Sequence, residues 1–212
     1  MENVERYNHL NKYLKEKFGE RTLKICIDGM FTCPNRDGSK GYGGCIFCSE
    51  KGSGEHIKSA ENITKQVENY FKSYKAKRAN KFIVYFQNFT NTYDTLENLK
   101  KKYDSALIDD RIVGLAIATR PDCMPNEVLE YLQHVSKEKF VFIEYGAESC
   151  NNAVLERVNR CHTWQDTVAT VERTHKYGLD CGLHLILGLP TEARDSMMQS
   201  AKEVSLLPIK SL

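Results

Sequence analysis

The sequence predicts an α/β fold in which helices wrap one parallel sheet. Short apolar runs alternate with amphipathic stretches along most of the 212 residues. Several of the runs are continuous rather than alternating, which is typical of strands buried on both faces. Five such strand–helix units in series predict either an open doubly wound sheet or a (β/α) barrel. A complete eight-unit barrel needs about 250 residues, so a barrel in this chain would be partial or cut short.

The predicted strands are five runs in chain order: Leu23–Ile27, Phe82–Phe86, Ile112–Ala118, Phe140–Ile143 and Leu183–Leu187. Between and after them, apolar residues recur at helical spacing. These stripes are Ile63, Val67, Tyr70, Phe71 and Tyr74, then Leu96, Leu99 and Tyr103, then Val128, Leu129 and Leu132 after Pro125, then Trp164, Val168, Val171 and His175, and finally Met197, Met198, Ala201 and Val204.

The pattern also predicts how the chain is divided. Residues 1–22 are charged and polar and are predicted to form an N-terminal helical extension. Residues 23–212 are predicted to form the core. Because the sequence ends in PIKSL, which resembles the approach to a sixth strand, we expect this core to be incomplete at its C-terminus.

Charge and hydropathy exclude some classes of protein. Thirty basic and 28 acidic side chains give a net charge of +2, which neither requires nor excludes nucleic acid. No stretch approaches the about 20 apolar residues of a membrane span, and the polar N-terminus is not a secretory signal. We therefore predict a cytoplasmic protein without a membrane partner. In a reducing compartment its eight cysteines are expected to serve as metal ligands or buried thiols rather than as disulfides.

Three of the cysteines are clustered in a glycine-rich loop after the first predicted strand. Eleven residues separate Cys33 from Cys45, and two separate Cys45 from Cys48. The short spacing lets two thiolates face one metal centre, and the glycines, which include Gly43 and Gly44, provide the backbone freedom to bring in the third. The pattern therefore predicts a metal centre.

The identity of the metal is left open by the loop itself. Thiolates suit both zinc and an iron–sulfur cluster. A structural zinc site needs four protein ligands, and His56 is available as the fourth. A [4Fe–4S] cluster held by three thiolates keeps one iron open. The loop follows a strand of a βα series, at the face where active sites of such folds assemble, which favours the cluster.

The chain resembles radical SAM enzymes, which use S-adenosylmethionine (SAM). More narrowly, it resembles the YhcC/YtqA-type group, relatives of the Elongator catalytic subunit. Five segments carry the resemblance in the same order, each near a strand end: ICIDGMFTCPNRDGSKGYGGCIFCSEKGSGEH, YFQNFTNTY, ATRPDC, EYGAESCNNAVLERVNRCHT and HLILGLPTE. They extend from Ile25 to Glu192, which is most of the chain.

The resemblance implies a partial (β/α)6-type barrel and two cofactors, a [4Fe–4S] cluster on Cys33, Cys45 and Cys48, and SAM. In such enzymes the open iron chelates the amino and carboxylate groups of SAM. One electron then cleaves a C–S bond of SAM, which gives methionine and a 5′-deoxyadenosyl radical. The electron comes from a flavodoxin or a ferredoxin-like donor.

The resemblance also implies residues that contact SAM. Many relatives place a glutamate directed at the ribose just before the threonine that ends the third strand. Here that residue is Ala118, which accepts no hydrogen bond through its side chain, so the role is expected to pass to the fourth strand. The implied SAM contacts are Phe47, Gln87, Asn88, Thr119, Glu148, Ser149, Arg160 and Gly188.

The substrate is implied by kinship with tRNA-modifying radical SAM enzymes. For the YhcC/YtqA-type group, the resemblance implies conversion of a carboxymethylaminomethyl group at C5 of the tRNA wobble uridine to an aminomethyl group. Two alternatives stay open at this point. One is radical SAM chemistry on a small metabolite or a protein, and the other is a zinc-binding interaction module.

Overall fold

The computed structural model describes residues 7–54, 56–57 and 61–212. Its strands are β1 (Thr22–Ile27), β2 (Lys81–Phe86), β3 (Ile112–Thr119), β4 (Phe140–Glu148) and β5 (Asp180–Leu185). Its α-helices are α1 (Leu10–Phe18), α2 (Ile63–Lys72), α3 (Leu96–Asp104), α4 (Asn126–Val135), α5 (Asn152–Arg157), α6 (Trp164–Lys176) and α7 (Arg194–Ser205). Within these ranges no helix is long and apolar enough to span a membrane.

The five strands form one parallel sheet whose spatial order follows the chain order, β1-β2-β3-β4-β5. A doubly wound sheet reverses its strand order at a switch point, and this sheet does not. The order is therefore that of a barrel wall. Beyond β5, the amide of Lys210 donates to Cys181 O at 2.8 Å and Ser211 O accepts from the amide of Leu183 at 3.1 Å, so the last residues pair with β5 in the parallel sense.

Successive side chains of each strand point to opposite faces of the sheet. One face carries fully buried residues that form the main core with α2, α3, α4, α6 and α7, among them Ile25, Val84, Leu115, Ile143 and Leu183. We call the other the inner face. Its lower part is covered by α1, where Leu14 packs against Ile83, Tyr85 and Ala116.

Strand β4 is longer than the apolar run Phe140–Ile143 predicted, because it continues to Glu148. Tyr145 and Ala147 stay fully buried on the helix side, while Glu144, Gly146 and Glu148, which alternate with them, line the cavity on the inner face. The residues of β4 that face the cavity therefore interrupt the apolar run in the sequence, although the strand continues.

Two other predictions of secondary structure need correction. Strand β5 covers Asp180–Leu185 rather than Leu183–Leu187, because the chain leaves the sheet before Gly188, whose φ of +81° belongs to a turn. Helix α5 was not predicted, since six residues are too few to show a helical period.

Candidate metal centre

The three clustered cysteines line one cavity of about 480 Å³ at the carboxyl ends of the strands. Cys33 and Cys45 are buried, and Cys48 is half-buried. The rest of the lining comes from the cysteine loop, from the ends of β2 and β3, and from β4 and β5 on the inner face. The three cysteines thus line one cavity at the end of the sheet where active sites of such folds assemble.

The cysteine loop is wound tightly by its own backbone. Cys33 O accepts from the amide of Arg36 at 2.8 Å, and Cys45 O accepts from the amide of Cys48 at 2.9 Å. Gly43 and Gly44 adopt φ of +75° and +78°, a region that side chains disfavour. A Cβ at Gly44 would also lie 3.0 Å from Nε of Arg36. The glycines therefore allow the loop to close around Arg36.

Hydrogen-bond donors surround two of the three sulfurs. Arg36 Nη2 lies 3.4 Å from Cys48 Sγ, and Asn35 Nδ2 lies 3.5 Å from Cys45 Sγ. Arg160 Nη1 approaches Cys45 Sγ at 3.6 Å. Hydrogen bonds to sulfur tune iron–sulfur clusters. This donor set fits a cluster held by three thiolates. The contributions of Arg36 and Asn35 were not predicted from the sequence.

The structure does not bring His56 to the cysteines. His56 is exposed and lines a separate depression with Cys26 and Gln66. In the described part of the chain, no three His, Cys, Asp or Glu side chains converge closely enough to hold a single metal ion. The four-ligand arrangement with His56 is thus not formed.

The residues that the resemblance assigns to SAM fall into two groups. Those that line the cavity with the cysteines are Phe47, Gln87, Thr119, Glu148 and Arg160. The other three lie outside its lining. Asn88 is buried behind Gly54. Ser149 Oγ donates to Glu192 Oε1 at 3.0 Å, and the amide of Gly188 donates to Glu192 Oε2 at 2.9 Å. Glu192 therefore joins these two residues beside the cavity.

The end of β4 is shaped to present Glu148. The register with β5 shifts between Gly146 and Glu148, and Glu148 adopts φ of +67°, which is uncommon for a residue with a side chain. Such irregularities often aim a side chain at a functional site. The Glu148 carboxylate lies 3.2 Å from Arg160 Nη2 and faces the cavity.

Arg160 makes several contacts at the cavity wall. Besides Cys45 and Glu148, its guanidinium donates to Gly146 O at 2.5 Å and to His162 Nε2 at 3.0 Å. It is 7% exposed. Its orientation joins the cysteine loop to the end of β4, and a contact with the SAM carboxylate remains a prediction.

A buried ion pair supports this arrangement from below. Arg120 Nε and Nη2 donate to the two carboxylate oxygens of Asp122 at 2.9 and 3.0 Å, and Arg120 Nη2 also donates to Arg160 O at 2.8 Å. Lys40, on the cysteine loop, pairs with the same carboxylate. Burial alone raises the pKa of Asp122, but the bonds and charge of Arg120 outweigh it and lower this pKa to about 2. The Arg120–Asp122 pair, through Lys40, thus connects the cysteine loop to the end of β3.

Stability is expected to depend on pH through His162. Arg160 Nε can only donate, so His162 Nε2 accepts and Nδ1–H faces Thr163 O at 3.1 Å. Burial and the Arg160 charge lower the pKa of His162 to about 4, against 6.5 when unfolded. The stabilising contribution of neutral His162 is complete above pH 6.5 and is lost as the pH falls towards 4, because the unfolded chain takes up a proton there that the folded chain does not. The free energy of unfolding is therefore expected to fall by about 2 kcal/mol from pH 7 to pH 5.

Urea unfolding at pH 7 and pH 5 measures this loss. His162→Gln is expected to lose less stability than wild type over the same interval, while His175→Gln, at an exposed position on α6, is expected to behave as wild type. An unchanged pH dependence in His162→Gln would contradict the assignment.

Cys161 adopts φ of +57°, the left-handed region that favours glycine. A side chain costs free energy in the left-handed conformation, and glycine removes this cost. The gain exceeds the cost of ordering the more flexible glycine backbone on folding. Cys161→Gly is therefore expected to raise the free energy of unfolding by about 0.5–1 kcal/mol. Cys161→Ala keeps the strain and is the control. Equal melting temperatures for the two variants would show that the backbone is not the cause.

Comparisons with known proteins agree with this geometry. The sequence model of the radical SAM superfamily matches residues 32–204. Protein YtqA of Bacillus subtilis (strain 168), described as uncharacterised, is 39% identical over 212 residues, which cover 98% of this chain and 65% of YtqA. The tRNA uridine(34) acetyltransferase of Methanocaldococcus jannaschii is 30% identical over 111 residues, 52% of this chain and 19% of that protein.

Among solved structures, the Elp3 protein of Methanocaldococcus infernus with an N-terminal deletion matches with a TM-score of 0.58 at 17% identity, over 86% of this chain and 42% of that one. This likeness concerns the fold. The chain spans 62–65% of the length of the curated relatives that it matches over most of its own length. Enzymes of the superfamily use a [4Fe–4S] cluster and SAM and require an electron donor. The extent of these matches shows that the chain belongs to the radical SAM superfamily.

Proposed function

We propose that Cys33, Cys45 and Cys48 hold a [4Fe–4S] cluster with one iron left for SAM, and that the protein cleaves SAM reductively. When bound, the cluster supplies the electron that breaks a C–S bond of SAM to give methionine and a 5′-deoxyadenosyl radical. The electron comes from a flavodoxin or a ferredoxin-like partner. The observation that carries the proposal is that the three thiols open into the same cavity as Thr119 and Glu148.

The side chains of the cavity suit the parts of SAM. Its volume of about 480 Å³ is in the usual range for small-molecule sites. Phe47 is 37% exposed and offers an apolar surface to a base. Glu148 provides an acceptor for hydroxyl or ammonium groups, and Arg160 provides a cation for a carboxylate. We retain Gln87 and Thr119 as contacts, whereas Asn88, Ser149 and Gly188 are expected to act from outside the cavity lining.

For the substrate, we infer the wobble uridine of tRNA, with conversion of its carboxymethylaminomethyl group to an aminomethyl group. The 5′-deoxyadenosyl radical would take a hydrogen atom from the carbon between the amine and the carboxylate, a second electron would return to the oxidised cluster, and water would then break the N–C bond and release the two carbons as glyoxylate. The support is the resemblance to the YhcC/YtqA-type group, together with the similarity to a protein named for action on tRNA uridine 34. The matched segment of 111 residues covers 52% of this chain. It is too long to lie wholly outside the radical SAM region, residues 32–204.

Nucleoside analysis of treated tRNA tests this function. The reconstituted and reduced protein is incubated with SAM and tRNA that carries the carboxymethylaminomethyl group, and the products are separated by mass. We expect the aminomethyl nucleoside to appear in step with 5′-deoxyadenosine. Retention on tRNA is expected to weaken with rising salt because phosphate contacts release counterions. SAM cleavage without change in tRNA and without salt-dependent retention would favour a small metabolite or a protein as substrate.

A further inference from the structure

A polar cluster lies on the inner face of the sheet, below the cysteines. The Glu144 carboxylate is 2.6 Å from Lys24 Nζ on one side and 3.5 Å from His184 Nε2 on the other. The Tyr85 ring lies beside this pair, with Lys24 Nζ 4.4 Å from the ring centre. Four strands, β1, β2, β4 and β5, thus bring their side chains to one carboxylate.

This cluster is costly for the fold. Glu144 is 7% exposed, and a buried ion pair is often less stabilising than apolar residues of the same size. Burial alone raises the pKa of Glu144, but the charge and hydrogen bond of Lys24, with Tyr85 and His184, outweigh burial and keep this pKa below its usual value. Glu144 therefore stays ionised at neutral pH. The Lys24 and His184 side chains are 24% and 54% exposed, so the buried carboxylate sits in a cluster that is open to a ligand.

The position of the cluster connects two cavities. Glu144 and His184 line the cavity of the cysteines and also a second cavity of about 490 Å³ between the sheet and α1. Lys24 lines only the second of these two. In the sheet register, Glu144 lies beside Ala118 and Gly182, two small residues. The absence of a larger side chain at position 118 thus leaves space next to the carboxylate.

The charges of the cluster define the ligand. An ionised carboxylate accepts up to about four hydrogen bonds, so Glu144 has capacity left beyond its protein contacts. A ligand that brings only a positive charge to Glu144 would be repelled by Lys24, which lies 2.6 Å from the same carboxylate. A ligand that also carries a negative charge can place it on Lys24, so that all four charges are paired. The complementary ligand is therefore a zwitterion with an ammonium and a carboxylate.

We propose that Lys24, Glu144 and His184 form a subsite for a zwitterionic amine of the substrate, with its ammonium on Glu144 and its carboxylate on Lys24. The inference rests on the proposed function, because a carboxymethylaminomethyl group is such a zwitterion. The amine is held at the border of the two cavities, next to the space assigned to SAM. SAM itself carries an amino-acid zwitterion, and the test separates the two ligands.

Binding of free nucleosides tests the subsite without catalysis. The reconstituted protein with SAM is dialysed to equilibrium against 5-carboxymethylaminomethyluridine or against uridine. Wild type is expected to bind the modified nucleoside more tightly. Glu144→Gln is expected to weaken this binding roughly tenfold to a hundredfold, the usual effect of one charge-assisted hydrogen bond, and to leave uridine and SAM binding unchanged. Glu172→Gln, an exposed position on α6, is the control.

A second variant guards against unfolding. If Glu144→Gln destabilises the chain because Lys24 is left unpaired, the double variant Lys24→Met with Glu144→Gln restores neutrality and is expected to show the same loss. Equal affinity of wild type for both nucleosides, or unchanged affinity in these variants, would overturn the subsite. Loss of SAM affinity in Glu144→Gln would assign the cluster to SAM instead. Wild type that binds the zwitterion but converts no tRNA contradicts the proposed function and supports the subsite.

Discussion

Replacing Cys45 by alanine is expected to abolish both cluster retention and SAM cleavage. Cys45 is 5% exposed and lies where Asn35 and Arg160 direct their donors, so its loss removes the sulfur that the surrounding loop is built to hold. Cys33→Ala and Cys48→Ala are expected to behave in the same way, since each thiolate would hold one of the four irons and losing any one of them leaves the cluster with two protein ligands. Iron content and 5′-deoxyadenosine after reconstitution measure the effect.

The matched control is Cys161→Ala. Cys161 is exposed, and its sulfur is close to the cysteine loop, at 3.1 Å from the position of a Cβ on Gly41. We expect this variant to bind iron and cleave SAM as wild type does. Cleavage retained in all three variants of the clustered cysteines would contradict the site, and cleavage lost in Cys161→Ala would mean that the ligand set is wrongly assigned.

Replacing Arg120 by methionine is expected to cost about 3–5 kcal/mol of the free energy of unfolding. Arg120 is 2% exposed and pairs with Asp122 through two hydrogen bonds. Its removal leaves a buried carboxylate whose remaining ion-pair partner, among the described residues, is Lys40, and it withdraws a donor from Arg160 O. Urea unfolding at neutral pH measures the loss.

Arg111→Met provides a matched comparison for this prediction. Arg111 makes the same two-bond contact with Asp109, but its side chain is 48% exposed and that of Asp109 is 29% exposed. Exposed pairs contribute about 1 kcal/mol or less. Losses of similar size in the two variants would show that burial of the Arg120 pair is not what makes it important.

The fold was largely readable from the sequence, with identifiable gaps. The central apolar runs, such as Phe82–Phe86, predicted strands because both of their faces are covered or half covered by packing. The spatial order of the strands was left open between two topologies, because neighbouring strands are chosen by packing rather than by local pattern. Strand β4 was predicted too short, since Glu144 and Gly146 serve the inner face and break the apolar signal.

The candidate site could be predicted from the sequence where it depends on the spacing of residues within one loop. The three cysteines were predicted as a metal centre from their intervals of eleven and two residues in one glycine-rich loop, whereas Phe47 was implied by the family resemblance. Arg36 offers no signal of this kind, because its contact with Cys48 depends on how the loop closes. The Lys24–Glu144 pair joins residues 120 positions apart, and nothing local to either position indicates it.

The reductive cleavage of SAM by the wild-type chain is the most direct test of the proposed chemistry. The protein is reconstituted anaerobically with iron and sulfide, reduced, and given SAM. We predict a brown protein with about four irons per chain and absorption near ~400 nm, and equal amounts of methionine and 5′-deoxyadenosine. A colourless protein that binds one zinc ion and releases no 5′-deoxyadenosine would contradict it.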